Sequence, residues 1–299
     1  MTTQIGAFEL QDPLPVLRRP RLLMALSPWI DVGAVASGSL TFLGQTWDAE
    51  PLGQLSRPGD FYDFTRYRPN LVRSGGRRLI VTPNTSLHWA QSPAGEHWLF
   101  LHALEPHAHA EQYLDSLAEL MGFLGVAQYC LIGSFYGPAP HTRPLVVYGD
   151  ASNVSLQERI AELGVRESSY QGPTSILAVV TDQAEAAGIE SLRLIIQLPA
   201  YAQLEQDYRG LLTALQLLSA VYGLDLELDA LRQEADRQAA AVDEAVAADP
   251  RLQRWVREME ANYDATIPAG SDEPPAQLSP QLESFLRDVQ RSWNDPESN

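Results

Sequence analysis

Short apolar runs bounded by Pro, Asn and Gly recur along the first two thirds of the chain, and they alternate with segments whose large apolar residues fall three and four apart. The runs "RLLMAL" (Arg21 to Leu26), "RRLIVT" (Arg77 to Thr82), "HWLFLHAL" (His97 to Leu104), "QYCLIGSF", "PLVVYG" and "LRLIIQL" read as strands. Between them, small and apolar residues from Val32 to Leu43 suit a helix. Leu114, Leu117, Leu120, Met121 and Leu124 suit another, after the polar start "HAEQ". Further helices are predicted at Leu156 to Leu163 and in "TSILAVVTDQAEAAG". A long amphipathic one carries Leu204, Tyr208, Leu211, Leu215, Leu218 and Tyr222 on one stripe. Strands alternating with helices predict an α/β domain with a mostly parallel sheet.

Beyond Gly223 the pattern changes. Leu228, Leu231, Ala235 and Val242, then Leu252, Val256, Met259 and Tyr263, keep helical spacing around the break "ADPR", as a helical hairpin standing on the core would. "IPAGSDEPPAQLSP" (Ile267 to Pro280) has linker composition. After it, Phe285, Leu286, Val289 and Trp293 would form one apolar stripe on a short helix, which needs a surface to bury it. The expected organisation is a core over 1–223, a hairpin extension over 224–266, a linker over 267–280 and a last helix over 281–293.

Charge narrows the function classes. The net charge is -17, and residues 225–299 alone carry seventeen acidic against seven basic side chains, so phosphate backbones and anionic membrane surfaces are poor partners. Every basic residue except histidine is arginine. Without lysine, a Walker-type phosphate contact, a Schiff base and a Ser/Lys dyad are all excluded. No apolar run is long enough to span a bilayer, and "MTTQIGAFELQDPLPVLRRP" lacks the basic-then-apolar order of a signal peptide, so a cytoplasmic address is expected. The single cysteine, Cys130, sits in an apolar run and reads as a buried structural thiol.

Three constellations could carry chemistry. "EPHAHAEQY" holds Glu105, His107 and His109, with His102 just before. A His-x-His pair can bind a metal, but Pro106 suits a strand end or a first helical turn and no third ligand stands at convincing spacing, so no metal is expected. "SPWIDVGAVASGS" puts Ser27, Asp31 and Gly33 at a helix start, where the backbone could hold an anion or where Asp31 could serve as the N-cap. "GPAPHTRP" brings His141 and Arg143 together in a turn: a base and an anion clamp on one reading, polar residues of a rigid loop on the other. No G-x-G-x-x-G fingerprint and no G-x-S-x-G elbow is present.

"SPWIDVGAVASGSL", "RPGDFYDFTRYRP", "ALEPH", "HTRP", "YGDAS", "SSYQGPTSI" and "QLPAYAQ" stand in an order that resembles the proteasome assembly chaperone 2 family, of bacterial or archaeal type, from about Arg21 to about Tyr263. The resemblance implies an α/β/α sandwich like that of purine nucleoside phosphorylases, with the helical extension common in bacterial relatives. It also implies a non-enzymatic, homo-oligomeric, chaperone-like protein that needs no cofactor and binds a protein partner, proteasome subunits being the family precedent. "SSYQGPTSI" resembles the family's loop into a helix, with Gly172 and Pro173 setting a turn and Thr174 or Ser175 as cap. That loop, with Tyr170, could line a crevice beside Ser27, Asp31, Gly33, Glu105 and Gly149 at the carboxyl ends of the strands. Two departures stand out. The sequence ends "WNDPESN" rather than in the hydrophobic-Tyr-X ending with which relatives dock on proteasome rings, so docking by that motif is not expected. The ATP-grasp label attached to the family also finds no lysine here to hold phosphates. The alternative is a small-molecule enzyme of phosphorylase or hydrolase type, with His141 or His107 as acid/base and Arg143 as clamp.

Overall fold

The segments Arg21–Ser27, Gln128–Gly137 and Glu190–Pro199 bury consecutive side chains, so both of their faces must be covered. The computed structural model, which describes residues 1–266 apart from 169 and 173, covers them with helices. In chain order the elements are β1 (Thr2–Ile5), β2 (Phe8–Gln11), β3 (Arg21–Ser27), α1 (Val35–Thr46), β4 (Glu50–Leu55), β5 (Asn70–Ser74), β6 (Arg77–Val81), β7 (Ser86–Gln91), β8 (His97–Leu104), α2 (Ala110–Phe123), β9 (Gln128–Gly137), β10 (Val147–Ala151), α3 (Val154–Glu162), α4 (Ile176–Ala186), β11 (Glu190–Pro199), α5 (Tyr208–Tyr222), α6 (Asp229–Ala248) and α7 (Pro250–Thr266).

Nine strands form one mixed sheet in the order β1-β2-β4-β7-β8-β3-β9-β11-β10. Its centre, β8-β3-β9-β11, is parallel, as the buried runs predict, and antiparallel strands extend it on both sides. Alternate residues of the central strands feed two cores. On one face, Met24, Leu26 and Leu131 meet Tyr113, Leu117 and Leu120 of α2 and Leu177 and Val180 of α4. On the other, Leu23, Ala25 and Ile132 meet Val35, Leu40 and Leu43 of α1 and Leu211, Leu215 and Leu218 of α5. The architecture is an α/β/α sandwich.

Trp98 shows how the second core is filled. Fully buried, it packs against Trp47 and Tyr222 with ring centroids 5.4 and 5.1 Å away, and the Arg21 guanidinium lies 5.1 Å above its ring. Cys130 is buried in the same core, and desolvation pushes its thiol up to about 12, which keeps it protonated at neutral pH. On the first face, the hydroxyls of Tyr62, Thr85 and Tyr113 satisfy one another at 2.5 and 2.8 Å, and that network lets three polar groups sit in an apolar layer.

Several elements differ from the sequence reading. The first helix begins at Val35 rather than Val32, because Gly33 (φ 61°) and Ala34 (φ 49°) adopt left-handed backbone and end a single 3-10 turn. Leu204 is not on the long amphipathic helix, which starts at Tyr208, where the Asp207 carboxylate caps the Gly210 N–H at 2.7 Å. The run "RRLIVT" is a strand, but it belongs to a separate two-stranded ribbon, β5-β6, rather than to the main sheet. The strands β1, β2, β4, β5 and β7 were not read from the sequence. The hairpin appears as α6 and α7, turning at Asp249, with α6 laid against α5 through Leu231. The linker and last helix expected over 267–280 and 281–293 lie outside the described residues.

Leu215, fully buried between the sheet and the hairpin side of the core, provides a direct test of this packing. Leu215→Ala is expected to lower unfolding free energy by about 2–5 kcal/mol, read as a shift in urea midpoint at unchanged slope. A loss below about 1 kcal/mol would place that side chain outside the core.

Candidate functional site

Parallel strands deliver their following loops to one edge of the sheet, and here that edge carries the residues after β3, β8 and β9. Ser27 ends β3 with its side chain on the α1 face, in step with Leu23 and Ala25. Its hydroxyl donates to Asp31 Oδ2 at 2.7 Å. The other carboxylate oxygen of Asp31 accepts the N–H groups of Ala36 and Ser37 at 2.9 and 3.1 Å. Asp31 therefore caps α1 from four residues upstream of its first residue, and its own carboxylate occupies the seat where an external anion would bind. Gly33 is held against the start of α5: a Cβ there would meet Asp207 Cβ at 2.8 Å.

Glu105 follows β8, and its N–H donates to Ser27 O at 3.0 Å, so these two positions do meet at the edge. Partial burial raises the Glu105 carboxyl above the usual range. The histidines nearby do not converge. His107 Nδ1 accepts the Asp63 N–H at 3.1 Å while its ring packs on Tyr67 at 4.5 Å. His109 precedes α2 in a left-handed conformation, with its ring edge-on to Phe61. His102 lies on β8 against His88, and burial depresses it to about 4, so it is neutral at physiological pH. Among the described residues no group of three His, Cys, Asp or Glu side chains could hold a metal ion.

The loop from Ser168 to Ile176 takes the chain from α3 on the face shared with α1 to α4 on the opposite face. Ser175 is the N-cap of α4, its hydroxyl accepting the Leu177 N–H at 3.3 Å. Tyr170 folds over Gly172, where an added Cβ would meet the phenol oxygen at 2.6 Å. Pro173 and Ser169 lie outside the described residues. Gly149 is not beside Ser27. It sits in the middle of the edge strand β10, three strands away from β3 or about 14 Å, and its N–H donates to Arg166 O at 2.8 Å just ahead of the loop. The expected crevice set thus divides into Ser27, Asp31, Gly33 and Glu105 at the centre of the edge, and Gly149, Tyr170, Gly172, Thr174 and Ser175 towards its side.

His141 and Arg143 are engaged by the helical hairpin. His141 is 8% exposed and both its ring nitrogens are bonded: Nδ1 lies 2.5 Å from Tyr201 Oη, and Nε2 lies 2.9 Å from Asp243 Oδ1 on α6. A carboxylate only accepts, so Nε2 donates to Asp243, while the Tyr201 oxygen accepts the His141 backbone N–H at 2.7 Å and shares a proton with Nδ1; burial pushes the tyrosine hydroxyl up to about 12. Arg143 makes a two-pronged contact with Asp264 on α7, Nε and Nη2 each 2.8 Å from a carboxylate oxygen, and also reaches Glu260 at 3.4 Å. That fork holds the Asp264 carboxyl below the usual aspartate range. Arg209 of α5 donates to the carbonyls of His141 and Arg143, and Tyr263 of α7 donates to Pro144 O at 2.9 Å. A cavity of about 20 Å³, room for one water, lies beneath the turn among His141, Leu145, Asp207, Arg209 and Gln238.

Sequence reasoning missed Tyr201, Arg209, Asp243, Glu260 and Asp264. Tyr201 lay in the quoted "QLPAYAQ" run, but the acidic partners are indistinguishable in the sequence from their solvated neighbours on the same helices.

Removal of the fork tests this latch. Arg143→Ala should speed amide hydrogen exchange in α6 and α7 while leaving β3, β9 and β11 protected; equal acceleration everywhere, or none, would refute a local latch. Because the folded-state pKa of Asp264 is depressed, its contribution is present above the unfolded value near about 4 and is lost as pH falls through the lower folded value. Protection factors in the hairpin, which correct for the intrinsic slowing of amide exchange in acid, are therefore expected to hold down to the ordinary aspartate range and to drop only in stronger acid.

A model of the PAC2 family matches residues 25–246. No curated protein matches the sequence. Among solved structures, a Mycobacterium tuberculosis protein of unknown function is 26% identical, with a TM-score of 0.77 over 89% of this chain and 92% of that one. A PAC2 family protein from Streptomyces avermitilis is also 26% identical, with a TM-score of 0.70 over 79% of this chain and 99% of that one. A proteasome-assembly chaperone homologue from Mycobacterium tuberculosis shares the fold at 23% identity, with a TM-score of 0.70 over 79% and 99% of the two chains. The family match runs from inside β3 to the last turns of α6 and takes in the carboxyl edge and the His141 turn: the chain belongs to the PAC2 family.

Proposed function

We propose that this protein is a non-enzymatic, assembly-chaperone-like factor that binds a protein partner through the carboxyl edge of its sheet or its α6-α7 hairpin. The observation that carries this reading is the use made of His141 and Arg143. The acid/base and anion-clamp candidates of the sequence have their polar atoms committed to Tyr201, Asp243, Glu260 and Asp264, which is how a protein fastens an appendage rather than how it prepares a reaction. The Asp31 carboxylate likewise fills the helix-terminal anion seat. What the edge offers outward is aromatic: Trp29, 62% exposed, and Phe64. Exposed aromatic side chains suit a protein surface better than a phosphate. The proteasome-assembly chaperone homologue among the similar structures suggests proteasome components as the partner class.

The enzymatic alternative, a phosphorylase- or hydrolase-type activity, requires the hairpin to leave so that His141 and Arg143 regain their free donors and acceptors. The His141–Tyr201 contact at 2.5 Å is the one feature that favours it, since a histidine set against a hydroxyl can serve as a base.

Affinity capture separates the two readings. The tagged full-length chain, incubated with a lysate of its own host, is expected to retain a specific protein partner at moderate salt, and a chain lacking 225–299 that still melts cooperatively should retain at least about 10-fold less. Recovery of no specific partner by either chain overturns the proposal. A rise of several degrees in melting temperature with inosine, adenosine or inorganic phosphate would instead favour the enzyme.

A further inference from the structure

The ribbon β5-β6 stands apart from the main sheet, pairing Leu71 with Ile80, Val72 with Leu79 and Arg73 with Arg78. A two-stranded ribbon has little stability of its own in water, yet this one presents apolar side chains on both faces. Leu71 (53% exposed) and Ile80 (64%) lie on one, and Val72, Leu79 and Val81 lie on the other. Its charge is equally unusual for this chain. Residues 64–95 contain no Asp or Glu but include Arg66, Arg68, Arg73, Arg77 and Arg78; with these five set aside, the net charge of -17 becomes -22. Among the described residues none of the five makes an ion pair.

We infer that the β5-β6 ribbon is the docking arm by which one copy of this chain grips the acidic surface of a second copy. Charge complementarity names the occupant: the rest of the molecule is a strongly acidic body, and the ribbon is a concentrated basic and apolar projection from it. Charge also fixes which surfaces meet. Two ribbons packed on each other would bring six guanidinium groups together, those of Arg73, Arg77 and Arg78 from each copy, around the Arg73–Arg78 pair where like charges already face one another. The contact is therefore ribbon-to-body, two unlike surfaces that meet either reciprocally across a two-fold axis or head to tail around a ring. The exposed apolar residues supply the buried core of the interface, and the arginines supply orientation and salt sensitivity. This inference stands independently of the chaperone reading.

Sedimentation equilibrium on the full-length chain provides the test, against a monomer mass of 33.0 kDa. The wild type is expected to show at least twice that mass at low salt and to lose mass at about 1 M NaCl, where the Debye length falls to about 3 Å. The combined variant Arg73→Glu, Arg77→Glu, Arg78→Glu, and separately Leu71→Ser with Ile80→Ser, should each run as a monomer with a cooperative melt, since the ribbon pairs with no strand of the main sheet. If either variant failed to fold, the salt dependence of the wild type would still decide. A monomeric wild type, a mass unmoved by salt, or folded variants that keep the wild-type mass overturn the proposal. A monomeric wild type that co-sediments with phosphatidylserine-containing vesicles also overturns it, and assigns the ribbon to a membrane surface.

Discussion

The central strands of this protein have no polar face, and the rest of the architecture follows from that constraint. β3, β9 and β11 bury side chains towards both α2 and α4 on one side and α1 and α5 on the other. Parallel strands covered in this way need crossover connections, and those connections place successive loops at the same edge. The carboxyl edge is thus a consequence of burial before it is a site. The residues that meet there, Ser27, Glu105 and the turn at His141, come from connections that share little else in the sequence.

At that edge the protein has used its own polar groups on itself. Asp31 neutralises the start of α1, Asp207 caps α5, and the two carbonyls of the His141 turn accept from Arg209. The turn so fixed becomes a mounting for α6 and α7, through Asp243, Glu260 and Asp264. These contacts are partly exposed, so they define where the hairpin sits more than they stabilise the whole. The hairpin is also held by apolar side chains, with Leu231 reaching the α5 core and Ala235 buried on the same helix. A PAC2 family chain built in this way carries two different textures on one side: aromatic side chains at the sheet edge and an acidic helical pair beside it.

Much of this could be read in advance. The strands Arg21–Ser27, His97–Leu104 and Glu190–Pro199 were visible because burial on both faces leaves an unbroken apolar run, and α2 and α5 because one-sided burial leaves a stripe. β4 and β7 escaped because half-exposed strands at the side of a sheet carry Pro, Gly, His and Gln among few apolar residues. β1 and β2 escaped for a related reason: they are four residues each, too short for an alternation to register. The start of α1 was misplaced because Gly33 and Ala34 break the helix through backbone conformation, which small apolar residues do not announce.

By itself the sequence determined the fold class, the absence of lysine chemistry, the acidity of the helical extension and the buried character of Cys130. Each depends on residue type or local spacing alone. Only the tertiary structure decided what His141 and Arg143 do, because their partners lie about a hundred residues away and a side chain's role depends on which groups fill its hydrogen-bonding positions. The separation of Gly149 from Ser27 was likewise settled by strand order, which no local pattern encodes. The ribbon shows the same division: its arginines and apolar residues were plain in the sequence, but their exposure was not, since a run like "RRLIVT" reads the same whether a helix covers it or nothing among the described residues does.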